Sequence, residues 1–131
     1  MVQTINILSD KKNICEVEYF LNEIFHKYEL TRKIYCKIYL SLTEAAVNAI
    51  VHGNSCNINK SVTIIFCNKD SHYEFIVEDE GFGFNYDNIP DPTHKNNINN
   101  ESGRGIFIMK QYADKLIYKN NGSKVVLIFN K

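Results

Sequence analysis

The chain of 131 residues has no tryptophan, only two prolines and no excess of either charge. Its 15 basic and 15 acidic side chains cancel, so the charge balance gives no electrostatic argument for binding nucleic acid or an anionic membrane. No uninterrupted apolar run approaches the roughly 18 residues that indicate a membrane-spanning helix. The N-terminal segment MVQTINILSDKKN lacks the basic stretch and apolar run of a signal peptide. We therefore expect a cytoplasmic protein without direct nucleic-acid or membrane partners.

The four cysteines are scattered and form no C-x-x-C pair; they are Cys15, Cys36, Cys56 and Cys67. This distribution favours free thiols in a reducing compartment over disulfides or zinc. His52 and Cys56 are four residues apart and could share one helix face, but no second pair completes a tetrahedral zinc site.

The chain is 44% hydrophobic and 12% aromatic, enough to bury a core, and its length fits one domain spanning residues 1–131. Apolar periodicity changes along the chain between the spacing of helices and that of strands. It predicts strands at about 3–8, 60–68, 72–79, 114–119 and 123–130, and helices at about 12–29, 31–51 and 106–112. Short turns between neighbouring strands indicate an α+β two-layer sandwich, with a mostly antiparallel mixed sheet and helices on one face.

Three junctions in this pattern carry specific expectations. The second helix should be capped by Thr31 and end at His52-Gly53-Asn54, with glycine in a left-handed conformation. Residues 120–122, Asn-Asn-Gly, should form a turn between the last two strands. Residues 80–102 hold two prolines and many asparagines, which is typical of a functional lid or a disordered segment.

The second helix carries an acid–amide pair, Glu44 and Asn48, four residues apart and therefore on one face. An amide oxygen suits Mg²⁺, which prefers few protein ligands together with phosphate oxygens. The glutamate could orient or deprotonate an attacking hydroxyl or water. Alone, this short pattern is more typical of a solvated polar stripe.

Asp79 ends the strand 72–79 on the same face as its apolar residues, so its carboxylate lies at the edge of the core and needs a partner. The exocyclic amine of adenine would be one. Gly81 and Gly83 follow and allow close approach to a planar ligand. The alternative is an ordinary turn closing a strand.

Gly103-Arg104-Gly105 precedes the last predicted helix. Free backbone N–H groups at a helix start suit phosphate, and Arg104 could pair with phosphate or an acidic partner. An ordinary glycine-containing helix entry is the competing interpretation.

The order of these motifs is more specific than any one of them. The segments LTEAAVNAIVHGN, VEDEGFGF and ESGRGIFIMK resemble, in this order, the N box and two glycine boxes of the GHKL ATPase superfamily with the Bergerat fold. Within that superfamily the chain is similar to the anti-sigma factor serine/threonine kinases, from about residue 5 to 129.

The resemblance implies a role for each motif residue around ATP and Mg²⁺. Glu44 would be the general base, Asn48 the Mg²⁺ ligand, and Asp79 the acceptor for the adenine amine, helped through water by Ser123. Gly81 and Gly83 would line the base and ribose. The phosphates would be surrounded by Gly103, Arg104 and Gly105, under a lid at about 87–102.

The resemblance also implies a substrate, a serine or threonine on a STAS-type anti-anti-sigma protein, with a sigma factor as competing partner and a homodimeric assembly. A non-catalytic ATP-dependent protein-binding switch is the alternative. A detached histidine kinase domain and a slow ATPase driving dimer closure are minor alternatives, because the chain has no room for their additional domains.

Overall fold

A computed structural model describes residues 2–81 and 101–131, with side chains from residue 105 onward in the second stretch. Gly83 and residues 87–100 of the expected lid lie outside the described residues, whereas residues 101 and 102, predicted as the end of the lid, belong to the last helix. The strands are β1 (Val2–Leu8), β2 (Ser61–Asn68), β3 (His72–Glu78), β4 (Lys115–Lys119) and β5 (Lys124–Asn130), and the helices are α1 (Ile14–Lys27), α2 (Arg32–Asn48) and α3 (Glu101–Tyr112).

The five strands form one sheet in the order β1-β2-β3-β5-β4, and each pairing among these described strands is antiparallel. Alternate side chains on the central strands are buried, as in Ile64 and Phe66 of β2 and Phe75 and Val77 of β3. This alternation turns one face of the sheet toward the core. The predicted antiparallel pairing is confirmed, but the sheet is not mixed, because none of the pairings between the described strands is parallel.

The helices cover that face. Buried residues of α1 recur at helical spacing, at Val17, Phe20, Leu21 and Ile24. The buried residues of α2 also recur at helical spacing, and the buried faces of α1 and α2 pack with the buried strand residues in one core. Phe66 is fully buried, with its ring centroid 5.0 Å from that of Phe75. The α+β two-layer architecture is therefore as predicted.

The end of α2 differs from the prediction. After Asn48 the chain continues through a π-helical turn, Ala49–Gly53, closed by the Asn54 N–H, which donates to the Ala49 carbonyl at 2.8 Å. Gly53 is not left-handed; Ser55 and Cys56 are, with φ of 53° and 55°. The C-terminal glycine rule failed because Gly53 is required for close contact with another segment, described below. Such π turns occur frequently at functional sites.

The start of α3 also differs. The helix begins at Glu101 rather than near Ile106, so Gly103 and Gly105 lie within its first turns instead of preceding it. The free N–H groups of the helix start are therefore those of residues 101–104. The turn at Asn120–Gly122 is confirmed, and its residues have positive φ values of 52°, 58° and 94°.

Among the described residues, one helical span, Arg32–Gly53, is long enough and apolar enough to cross a membrane. The same span supplies Ile38, Leu42, Ala45 and Ile50 to the core. The core helix of a globular domain passes the same test, so this helix does not indicate a membrane protein.

Candidate functional site

Asp79 is held at the end of β3 by close packing of two glycines. A β-carbon on Gly53 would overlap the Asp79 carboxyl group, and a β-carbon on Gly81 would overlap the Gly53 carbonyl. The Gly81 N–H donates to Asp79 Oδ1 at 2.8 Å, and the Asp79 N–H donates to the Ser123 carbonyl at 2.9 Å. The π turn after α2, the end of β3 and the start of β5 therefore meet at this carboxylate.

Burial is the main influence on the pKa of the Asp79 carboxyl. Desolvation raises the pKa of Asp79 above its ordinary 3.8, and Glu78 adds to the effect, while the Gly81 N–H and Lys60 oppose it. A half-buried carboxylate in such a place is stabilised by a ligand that donates hydrogen bonds to it.

A cavity of about 260 Å³ opens beside Asp79. Its walls are largely apolar and come from α2, β3, α3, β4 and β5, and they include Val77, Ile106, Met109 and Tyr118. Largely apolar cavities with a few polar groups are typical of small-molecule sites in proteins. The arrangement fits a nucleobase whose amine faces Asp79.

Glu44 and Asn48 lie together on α2, half-buried, where α3 crosses it. A β-carbon on Gly105 would be 2.8 Å from Glu44 Oε2 and 3.3 Å from Asn48 Nδ2. Only a residue without a side chain lets α3 approach so closely without displacing the pair. The structure therefore brings the first and third sequence motifs into contact.

This contact borders a second cavity, of about 380 Å³, lined by Glu44, Asn48, Gly105, His52 and Lys11. Asn48 and His52 also line the first cavity, so the two cavities share a wall. The second cavity is the more polar of the two, with a carboxylate, an amide and a lysine ammonium. Such a set of groups suits phosphates and a hard cation.

No group of three or more histidine, cysteine, aspartate or glutamate side chains in the described part of the chain could hold a metal ion alone. Mg²⁺ does not require such a group, because it usually keeps waters and takes one or two protein ligands plus phosphate oxygens. The amide oxygen of Asn48 fits that mode of binding, with Glu44 beside it.

The structure gathers most of the site residues predicted from the sequence. Ser123 lines the first cavity, and its hydroxyl donates to the Asn120 carbonyl at 2.9 Å while remaining able to accept. Gly103 and Arg104 lie in the first turn of α3, but the side chain of Arg104 and the whole of Gly83 are outside the part of the chain that the structure describes.

Several site residues were missed. Tyr118 and Met109 line the first cavity, and burial raises the pKa of the Tyr118 phenol. The sequence pattern indicates only a helix end at Gly53, although its position one turn beyond Asn48 also places it near the predicted site. Lys11 belongs to the turn after β1, Lys11–Asn13, and no local pattern placed it near Glu44.

Comparison with known proteins agrees with this geometry. The profile of the histidine kinase-like ATPase domain matches residues 7–129. The anti-sigma F factor of Clostridium perfringens (strain SM101 / Type A) is 33% identical over 92 residues, which cover 66% of each chain. The serine-protein kinase RsbW of Bacillus subtilis (strain 168) is 28% identical over 93 residues, covering 66% of this chain and 58% of RsbW.

The chain therefore belongs to the histidine kinase-like (GHKL) ATPase domain family, and within it to the anti-sigma kinase-like group. It spans slightly less than two thirds of the length of the curated relatives that it matches. An ATP-binding domain is what this family membership implies.

Proposed function

We propose that the protein binds Mg-ATP across the two cavities and transfers the γ-phosphoryl group to a serine or threonine of a STAS-type anti-anti-sigma partner. The observation that carries the proposal is the meeting of Glu44, Asn48 and Gly105 beside the cavity of Asp79. Residues far apart in the chain would thereby offer an adenine end and a phosphate end in two cavities that share Asn48 and His52.

At the adenine end, Asp79 would accept a hydrogen bond from the exocyclic amine. The raised pKa of its carboxyl reflects burial that such a ligand would compensate. Ser123 would assist through a bridging water, and Met109 and Tyr118 would pack against the base. Gly81 and Gly83 keep the role of lining the base and ribose.

At the phosphate end, Asn48 would coordinate Mg²⁺ and Gly105 would let the phosphates approach the α2–α3 contact. The free N–H groups of the first turn of α3, including those of Gly103 and Arg104, would face the phosphates and be favoured by the helix dipole. Lys11 adds a cation to the same cavity.

Bound Mg-ATP would supply an electrophilic γ-phosphorus with its charge partly neutralised by the metal. The partner's hydroxyl oxygen would form the new P–O bond, the bond to the bridging oxygen would break, and ADP would leave. Glu44, half-buried and next to Asn48, would accept the hydroxyl proton. A sigma factor would compete with the STAS-type partner for binding to this chain. We expect this chain to form a cytoplasmic homodimer.

The test is phosphotransfer from ATP labelled at the γ-phosphate to a co-encoded STAS-type protein. Glu44→Ala should lose transfer by roughly 100-fold or more while keeping nucleotide affinity, because it removes the base and leaves both cavities in place. Glu23→Ala, a change of the same kind at an exposed position of α1, is the matched control and should transfer normally. Undiminished label with Glu44→Ala would contradict the assigned base.

The second candidate is a non-catalytic switch, in which ATP changes partner affinity without phosphotransfer. The name of the Clostridium relative, an anti-sigma factor, describes such binding and mentions no kinase. Under this alternative the wild type would bind ATP and release or capture its partner, but no label would reach the partner. Glu44→Ala would then leave the partner response unchanged.

A further inference from the structure

Asn54 is the buried polar side chain directly after the π turn, and only 1% of its surface is exposed. Its backbone N–H closes the turn by donating to the Ala49 carbonyl at 2.8 Å, which fixes the backbone that carries the side chain. A buried amide is stable only when its donors and acceptor are paired. Those partners come from three separate segments.

The Asn54 amide uses both donors and its acceptor. Nδ2 donates to Ser9 Oγ at 2.9 Å and to the Ser61 carbonyl at 3.0 Å, while Oδ1 accepts from the Glu80 N–H at 2.7 Å. The reversed amide would put an NH₂ group against the Glu80 N–H and an oxygen against the Ser61 carbonyl. The orientation is therefore determined by its surroundings.

The Glu80 N–H is one of three consecutive amides that hold the turn after β3. Asp79 N–H donates to the Ser123 carbonyl, Glu80 N–H to Asn54, and Gly81 N–H to the Asp79 carboxylate. Asn54 thus supplies the middle support of the segment that carries the carboxylate. The Glu80 side chain connects the same turn to the start of β2, because its Oε2 accepts from the Ser61 N–H at 2.6 Å.

We propose that Asn54 is a positioning residue for nucleobase recognition: through the Glu80 N–H it fixes the backbone that aims the Asp79 carboxylate into the first cavity. The inference rests on the proposed binding of adenine at Asp79. It adds a specificity role for a residue that makes no contact in the cavity itself. It also gives a role to a polar side chain that is buried beside Ser9 and the ends of three strands.

The experiment measures dissociation constants for Mg-ATP and Mg-ITP by calorimetry, together with thermal stability. ITP has a carbonyl where ATP has the amine, so the ATP:ITP ratio reports how well Asp79 is aimed. Asn54→Ala should weaken ATP roughly tenfold and lower the ratio by a similar factor, because a buried support of the turn is lost.

Two further variants separate positioning from stability. Ser9→Ala removes a fully buried hydroxyl from the same network but leaves the bond from Asn54 to Glu80, so it should destabilise the fold and keep the ratio. Asn54→Asp keeps an oxygen for the Glu80 N–H but sets a carboxylate oxygen against the Ser61 carbonyl. It should be the least stable variant and yet discriminate better than Asn54→Ala.

A ratio that follows stability across the three variants, or an unchanged ratio in Asn54→Ala, would overturn the positioning role while leaving ATP binding intact. Failure of the wild type to bind ATP would instead overturn the proposed function together with this role. If the Asn54 variants do not fold, amide hydrogen exchange in the wild type decides. ATP should slow exchange at Glu80, and unchanged exchange there would count against the proposal.

Discussion

Replacing Asp79 with asparagine removes the charge of the adenine anchor with almost no change in shape. In the wild type, Oδ1 accepts from the Gly81 N–H, which leaves Oδ2 to accept from a ligand. The amide oxygen of Asp79→Asn must take over the bond to Gly81, because an NH₂ group would oppose that N–H. The amide NH₂ is then left to confront the amine of adenine.

The expected loss follows from this arrangement. A hydrogen bond to a charged group contributes about 1.5–3 kcal/mol, and its replacement by two opposed donors should cost on the order of 1–3 kcal/mol in ATP affinity. That range corresponds to roughly 5- to 150-fold in the dissociation constant. The NH₂ group that replaces the carboxylate oxygen can donate to a base that has a carbonyl in place of the amine. The affinity for ITP should therefore fall less than that for ATP, or rise.

Calorimetric titration of Mg-ATP and Mg-ITP into both proteins measures these values. Glu78→Gln, a change of the same kind one residue earlier on β3, is the control and should bind as the wild type does. Equal ATP affinity in Asp79→Asn and the wild type would refute the assignment of adenine to this carboxylate.

Three further predictions follow from the described contacts. Gly105→Ala should raise or preserve thermal stability, because alanine is favoured over glycine in a helix by about 1 kcal/mol. The same variant should weaken Mg-ATP binding, because the new β-carbon would be 2.8 Å from Glu44 Oε2. Wild-type affinity in that variant would contradict the close packing of α2 and α3. The raised pKa of Asp79 predicts that ATP affinity falls as the pH drops through that raised value, because the protonated carboxyl loses its charge. The contribution of this carboxyl to the stability of the unliganded fold is fully present below pH 3.8 and is lost as the pH rises through the raised value. Asp79→Asn should remove both contributions in titrations over pH. Phe66→Ala should lower the free energy of unfolding by about 3–5 kcal/mol in urea denaturation, because the ring is fully buried against Phe75; a loss under 1 kcal/mol would mean the core is packed differently.

Local periodicity was sufficient to predict the sheet and the helices. Strands such as β3 alternate strictly, and α1 repeats its apolar residues at helical spacing, so both patterns had one consistent interpretation. The acid–amide pair on α2 was also visible, because a spacing of four residues fixes a common face.

What the sequence did not reveal depends on contacts between distant segments. The role of Gly53 arises from Asp79, 26 positions away, and that of Asn54 from Glu80 and Ser9. The start of α3 was misplaced because glycines usually interrupt helices, whereas here Gly105 lies inside the helix and its lack of a side chain leaves room for Glu44.

If these separate segments surround one nucleotide, amide chemical shifts recorded while Mg-ATP is added will report it directly. The amides of Asn48, Gly53, Gly81, Gly105 and Ser123 should shift together along one saturating curve. Shifts confined to a different surface, or no saturable change at millimolar nucleotide, would contradict this arrangement.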